Sequence, residues 1–224
     1  MLTSTPSDAN GRRRWFAPAA TGVLAAAALV AVYALTMSAT AGSLDALARL
    51  GAKVDPLVAD GEWWRLVVSV YLHADGLHVA MNAAWLALLL VAGVALVGPT
   101  RAVATAAAAG YAGQLTSFAL TAGPSVGASG AVYGLAATLV VFAWRRRAQI
   151  PAERRARLLA SLGVAMAALL LFPLAVGAVD HAAHVGGLLA GAALGLLPSR
   201  RRVDLALGGT IAAITAAAVL AAVV

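Results

Sequence analysis

Seven apolar segments, separated by short polar or basic stretches, dominate this chain of 224 residues. They lie near Phe16–Met37, Leu77–Val97, Ala102–Thr121, Ser129–Trp144, Leu158–Val179, Ala182–Leu197 and Leu205–Val224. Each has, or nearly has, the roughly 20 residues a helix needs to cross about 30 Å of hydrocarbon. Charged residues make up only 11% of the chain and hydrophobic ones 62%. A soluble domain carries about 25% charged residues, and without them it has too little polar surface to coat an apolar interior. Alanine and leucine fill the segments and glycines recur inside them, as transmembrane helices tolerate. The alternating ten-residue stretches of a membrane β-barrel are missing. The predicted fold class is therefore all-α, a polytopic membrane helical bundle. Zero cysteines exclude disulfides, thiolate catalysis and cysteine metal clusters.

A net charge of +7 would suggest nucleic acid in a soluble chain, but the placement of the sixteen Lys and Arg residues argues otherwise. Arg12, Arg13 and Arg14 precede the first span, and Arg101 lies between the second and third. Arg145, Arg146, Arg147, Arg154, Arg155 and Arg157 separate the fourth and fifth, and Arg200, Arg201 and Arg202 the sixth and seventh. These thirteen share one side; only Arg49, Lys53 and Arg65 fall on the other. By the positive-inside rule the N-terminus is cytoplasmic and the C-terminus outside, in a cell membrane. The partner expected for the arginines is the lipid bilayer, not nucleic acid. Ala39-Thr40-Ala41 resembles a signal-peptide cleavage site, yet the apolar stretch before it, about 22 residues, exceeds the usual 7–15, so a retained anchor is expected. The one long outer loop, roughly residues 39–76, carries Trp63-Trp64-Arg65, suited to a segment in the headgroup layer.

Polar side chains inside spans are costly and therefore informative. His78 and Asn82 sit four apart at the outer start of the second span, Ser129 opens the fourth, and His181 and His184 open the sixth. Ser129 is sixteen residues before Arg145, and His184 is sixteen before Arg200. At 1.5 Å per residue both lie about 24 Å above the inner boundary, several ångströms below the outer surface. A serine and a histidine at one depth on two helices suit a buried Ser–His pair. Gly130 and Gly134 on the fourth span, with Gly187, Gly191 and Gly195 on the sixth, form G-x-x-x-G patterns that let backbones approach. His78 and Asn82, with the Ser129 backbone N–H at a helix N-terminus, supply donors for a developing oxyanion. Tyr133, one turn after Ser129, shares its face and is placed to pack on the His184 ring.

These residues resemble the rhomboid intramembrane serine proteases across the spans of that family's six-helix core. The pieces are Trp64-Arg65, His78-Val79-Ala80-Met81-Asn82, Gly127-Ala128-Ser129-Gly130 with Tyr133, and Ala183-His184-Val185-Gly186-Gly187 followed by Gly191. The resemblance implies Ser129 as nucleophile, His184 as general base, and His78, Asn82 and the Ser129 amide as oxyanion hole. It also implies roles for the fifth span and first loop in substrate access. Residues 1–15 then form a cytoplasmic tail, 16–198 the core, and 199–224 a basic linker with an added seventh helix. Position 181 departs from the family, which often has a small polar residue there. Asp180 either opens the sixth helix or orients His184. His73 is expected to support the loop, and His181 is unassigned.

The activity implied is an endopeptidase that cuts transmembrane segments of other membrane proteins near the outer face through an acyl-enzyme. An inactive relative that binds membrane clients is the alternative, and a transporter a weaker one, since the inner halves of the spans hold almost no ionisable residue. His-Glu-x-x-His and paired intramembrane aspartates are lacking, and Ala131 breaks the G-x-S-x-G elbow. No metal and no cofactor are expected.

Overall fold

The computed structural model describes residues 9–40, 43–176, 179–198 and 200–223. Six long helices follow the apolar segments closely: α1 (Ala9–Thr40), then α5 (Gly76–Val97), α6 (Pro99–Leu120), α7 (Ser129–Arg145), α8 (Ala152–Val176) and α9 (His181–Leu196). A seventh, α10 (Arg201–Val223), ends the described chain. The chain is thus a helical membrane bundle. Among the described residues, α1 over Ala17–Met37, α5 and α10 are each long and apolar enough to cross a membrane, while α7 and α9 are apolar but only 17 and 16 residues long. Part of the Ala39–Ala41 motif, the last turn expected before Val179 and the terminal Val224 lie outside the described residues.

The largest differences from the hydropathy reading are at two helix starts. α1 and α8 begin ahead of their apolar stretches, at Ala9 and Ala152, because arginine is a good helix former and carries the helix out of the lipid. The first long loop is not irregular: it holds α2 (Leu44–Leu50), α3 (Asp55–Ala59), α4 (Arg65–Val68) and a 3-10 turn over Ser69–Tyr71. Such short helices gain nothing from propensity alone. Arg65 ties α4 to α2, donating through Nη1 to the carbonyls of Ala48 (2.5 Å) and Ala52 (3.1 Å), and through Nε to Glu62 (2.6 Å). Its guanidinium also lies 4.7 Å from the Trp64 ring. Trp63 is exposed, as a headgroup residue would be, but Arg65 is buried.

α7 lies at the centre, with every residue from Gly130 to Leu139 buried. Where α7 meets α9, glycines replace side chains. A Cβ on Gly187 would stand 2.2 Å from the Gly130 carbonyl oxygen, and one on Gly191 would stand 1.9 Å from that of Gly134. The expected G-x-x-x-G faces are thus in register. Thr138 Oγ1 extends the seam by donating to the Gly191 carbonyl at 2.6 Å. At the arginine-rich end, Arg101 is 1% exposed and donates to the carbonyls of Leu194 (2.8 Å), Leu197 (2.8 Å) and Pro198 (3.2 Å) and to Asp204 (2.9 Å). A residue read as a marker of sidedness therefore also binds α6 to α9 and α10.

Candidate active site

Ser129 is the first residue of α7, reached through a tight turn. Gly127 sits there at φ 121°, a left-handed conformation that glycine adopts without penalty. Its missing side chain matters as much: a Cβ would lie 2.6 Å from His78 Nε2 and 3.8 Å from Asn82 Nδ2. The turn before Ser129 is thus pressed against the two side chains expected as oxyanion donors. Asp75 caps α5 by accepting from the His78 amide (2.8 Å), and Asn82 Nδ2 donates back to the His78 carbonyl (3.0 Å).

His184 lies in the first turn of α9, 7% exposed. Tyr133 stacks on it as its spacing from Ser129 suggests, with ring centroids 4.2 Å apart and planes 15° from parallel. The Tyr133 hydroxyl donates to the Leu169 carbonyl of α8. His181 meets His184 edge-on at 6.2 Å and is exposed. Asp180 is the N-cap of α9, accepting from the Ala183 amide (3.0 Å) and from Ser117 Oγ (2.5 Å). Of its two sequence readings, the helix-opening one matches this geometry. Burial opposes the Asp180 charge, but Ser117, Ser125 and the Ala183 amide, with the Lys53 charge, outweigh it and hold its pKa below the ordinary value.

Ser129 and His184 therefore occupy the first turns of two helices locked together one residue and three residues further on, at Gly130 and Gly187. Among the described residues no hydrogen bond joins Ser129 Oγ to His184. His73 is 2% exposed and edge-on to His78 with centroids 5.0 Å apart, so it supports the loop against α5.

Residues 60–201 match the Rhomboid domain, well over half of the chain. The chain belongs to the rhomboid family. Among relatives, Rhomboid protease GluP of Bacillus subtilis is 31% identical over 187 residues, covering 80% of this chain and 35% of that protein. Rhomboid protease AarA of Providencia stuartii is 29% identical over 180 residues, covering 68% and 63%. Rhomboid-like protease 1 of Toxoplasma gondii is 30% identical over 166 residues, covering 70% and 55%. The chain thus spans less than two thirds of the length of each of these rhomboids.

Sequence reasoning missed how the first loop of this rhomboid grips the segment before Ser129. Lys53 and Ser125 form a two-bond antiparallel bridge, N to O at 3.0 and 2.9 Å. Asp55 accepts from the Gly123 amide (2.8 Å) and pairs with Lys53 Nζ (2.7 Å). The Gly127 amide donates to the Ser69 carbonyl at 2.9 Å. Only the proximity of Lys53 to Asp55 could have hinted at this. Trp64 and Arg65, singled out as family motifs, pack within the loop.

Proposed function

We propose that this rhomboid is an intramembrane serine endopeptidase that cuts transmembrane proteins near the outer membrane face. The observation that carries the reading is the glycine seam between α7 and α9, which sets Ser129 and His184 on adjoining first turns with Tyr133 stacked on the imidazole. Ser129 Oγ attacks the peptide carbonyl as its proton passes to His184. Collapse of the tetrahedral intermediate sends that proton to the leaving amine, and water then hydrolyses the acyl-enzyme, with His184 as base. Charge on the oxyanion is met by His78, Asn82 and the Ser129 amide, an orphan donor at the positive end of α7. A helical substrate hides its carbonyls in the i→i−4 ladder, so glycine or proline near the scissile bond favours cleavage.

In this reading residues 16–198 are the catalytic core in a cell membrane, with the N-terminus inside, and the substrates are other membrane proteins. The test is cleavage of a single-span reporter in liposomes by wild type, Ser129→Ala and His184→Ala, each confirmed folded. Cleavage by wild type and loss in both variants is the expected result. A wild type that neither cleaves nor reacts with a fluorophosphonate probe at Ser129 would instead mark an inactive, client-binding relative.

A further inference from the structure

α10 is apolar nearly all round, and lipid offers no hydrophobic drive for such a helix to pack on its neighbours. Three points on one face nevertheless fix it to α6. Asp204 meets Arg101 at 2.9 Å, Gly208 lies where a Cβ would be 2.7 Å from Thr100 Cγ2, and Thr215 Oγ1 is 2.7 Å from the Tyr111 hydroxyl. From the first of these contacts to the last, α6 advances from Arg101 to Tyr111 and α10 from Asp204 to Thr215, so the two helices run parallel. The last point does not end at α6. The Tyr111 hydroxyl is also 2.8 Å from that of Tyr71, at the end of the Ser69–Tyr71 turn.

The direction of this chain follows from proton counting. A threonine hydroxyl has one proton, and that of Thr215 is committed to the Ile211 carbonyl at 2.8 Å. Thr215 Oγ1 therefore accepts from Tyr111, and Tyr111 accepts from Tyr71. Tyr111 is the middle member, accepting from Tyr71 and donating to Thr215. Burial, reinforced by the neighbouring Tyr111, raises the Tyr71 pKa, so the chain stays neutral. The turn at its head touches both halves of the candidate site: Ser69 holds the Gly127 amide, and His73, two residues beyond Tyr71, abuts His78.

We propose that Tyr71, Tyr111 and Thr215 are positioning residues, a hydroxyl latch through which the seventh helix holds the 69–73 turn against the segment that presents Ser129. The proposal rests on the protease reading for its kinetic consequence but not for its structural one. The experiment compares full-length wild type, Thr215→Val, Thr215→Ser and Tyr111→Phe. Two readouts are taken: reporter kinetics, and hydrogen–deuterium exchange of residues 121–128. Thr215→Val is isosteric and loses the acceptor; Thr215→Ser restores it.

The expected result is a fall in kcat of about threefold in Thr215→Val, and more in Tyr111→Phe, with KM within twofold of wild type. Exchange at 121–128 quickens in both, and Thr215→Ser matches wild type in both readouts. Wild-type exchange and kcat in Thr215→Val would overturn the latch, as would a loss that Thr215→Ser fails to recover. If wild type is inert towards reporter and probe, the protease reading falls, and the exchange comparison alone decides the latch.

Discussion

α8 and α9 both pack on α7, in opposite ways. α9 meets it backbone to backbone, through glycines whose smallest enlargement would enter a carbonyl oxygen. α8 meets it side chain first, through Leu162, Leu169 and the Tyr133 hydroxyl, and its own Gly163 faces open space. The buried area of apolar groups cannot favour either arrangement in a bilayer, so close van der Waals contact and internal hydrogen bonds decide register. The two residues proposed to react sit on the pair whose register is fixed. Tyr133 is where the two kinds of packing meet, one face on His184 and its hydroxyl on α8.

The sharpest way to break this contrast is to add one methyl group to each helix. Gly191→Ala is expected to destabilise by about 3 kcal/mol or more, since the new atom cannot be housed against the Gly134 carbonyl. Gly163→Ala, with room around it, is expected to be neutral or stabilising by up to about 1 kcal/mol. Thermal unfolding in detergent measures both, and equal Tm values would dissolve the distinction. Next in size, Tyr133→Phe keeps the stack on His184 but frees the Leu169 carbonyl. A loss of about 1 kcal/mol is expected, with fluorophosphonate labelling of Ser129 within twofold of wild type. If labelling collapses with the hydroxyl, the link to α8 matters to the site more than the ring does.

Asp180→Ala removes the N-cap of α9, and a loss of about 1 kcal/mol is expected, which Asp180→Asn largely avoids. Because the folded pKa of Asp180 lies below its ordinary value, its contribution is present at neutral pH and fades as pH falls through the carboxylate range. The smallest effect expected near neutrality concerns His73, whose pKa burial pushes from 6.5 down to about 3. Between those values the unfolded chain holds a proton that the folded one refuses, so stability drops as pH falls. His73→Phe should flatten the dependence of Tm on pH across that window. An unchanged slope would show that His73 is not what acid attacks.

Much of this was legible in the sequence because hydrocarbon imposes simple rules. Helix length and the glycine spacing of α7 and α9 follow from 1.5 Å per residue and the scarcity of polar side chains, which also lead to the expectation of one depth for Ser129 and His184. The first loop was opaque for the opposite reason. Arg65 reaches back from α4 to Ala48 and Ala52, and Lys53 is paired by a segment 72 residues later, around Ser125. Contacts so distant in sequence leave no local period to read. The Tyr111–Thr215 pair was hidden similarly, each looking like a lone polar residue in an apolar run.

Arg101 ties these regions to the order in which the chain is made. Its acceptors Leu194, Leu197, Pro198 and Asp204 lie 93 to 103 residues downstream. At about 5–20 residues per second, roughly 5–20 s of synthesis separate this guanidinium from its partners. During that interval α6 carries a cation with no protein acceptor, which water or lipid headgroups must solvate at the membrane boundary. Only when α9 and α10 emerge can the charge be drawn inward. Closure of the bundle at that end is therefore a late event, and a ribosome that stops short of Leu194 leaves behind a half-assembled protein marked by one unclaimed arginine.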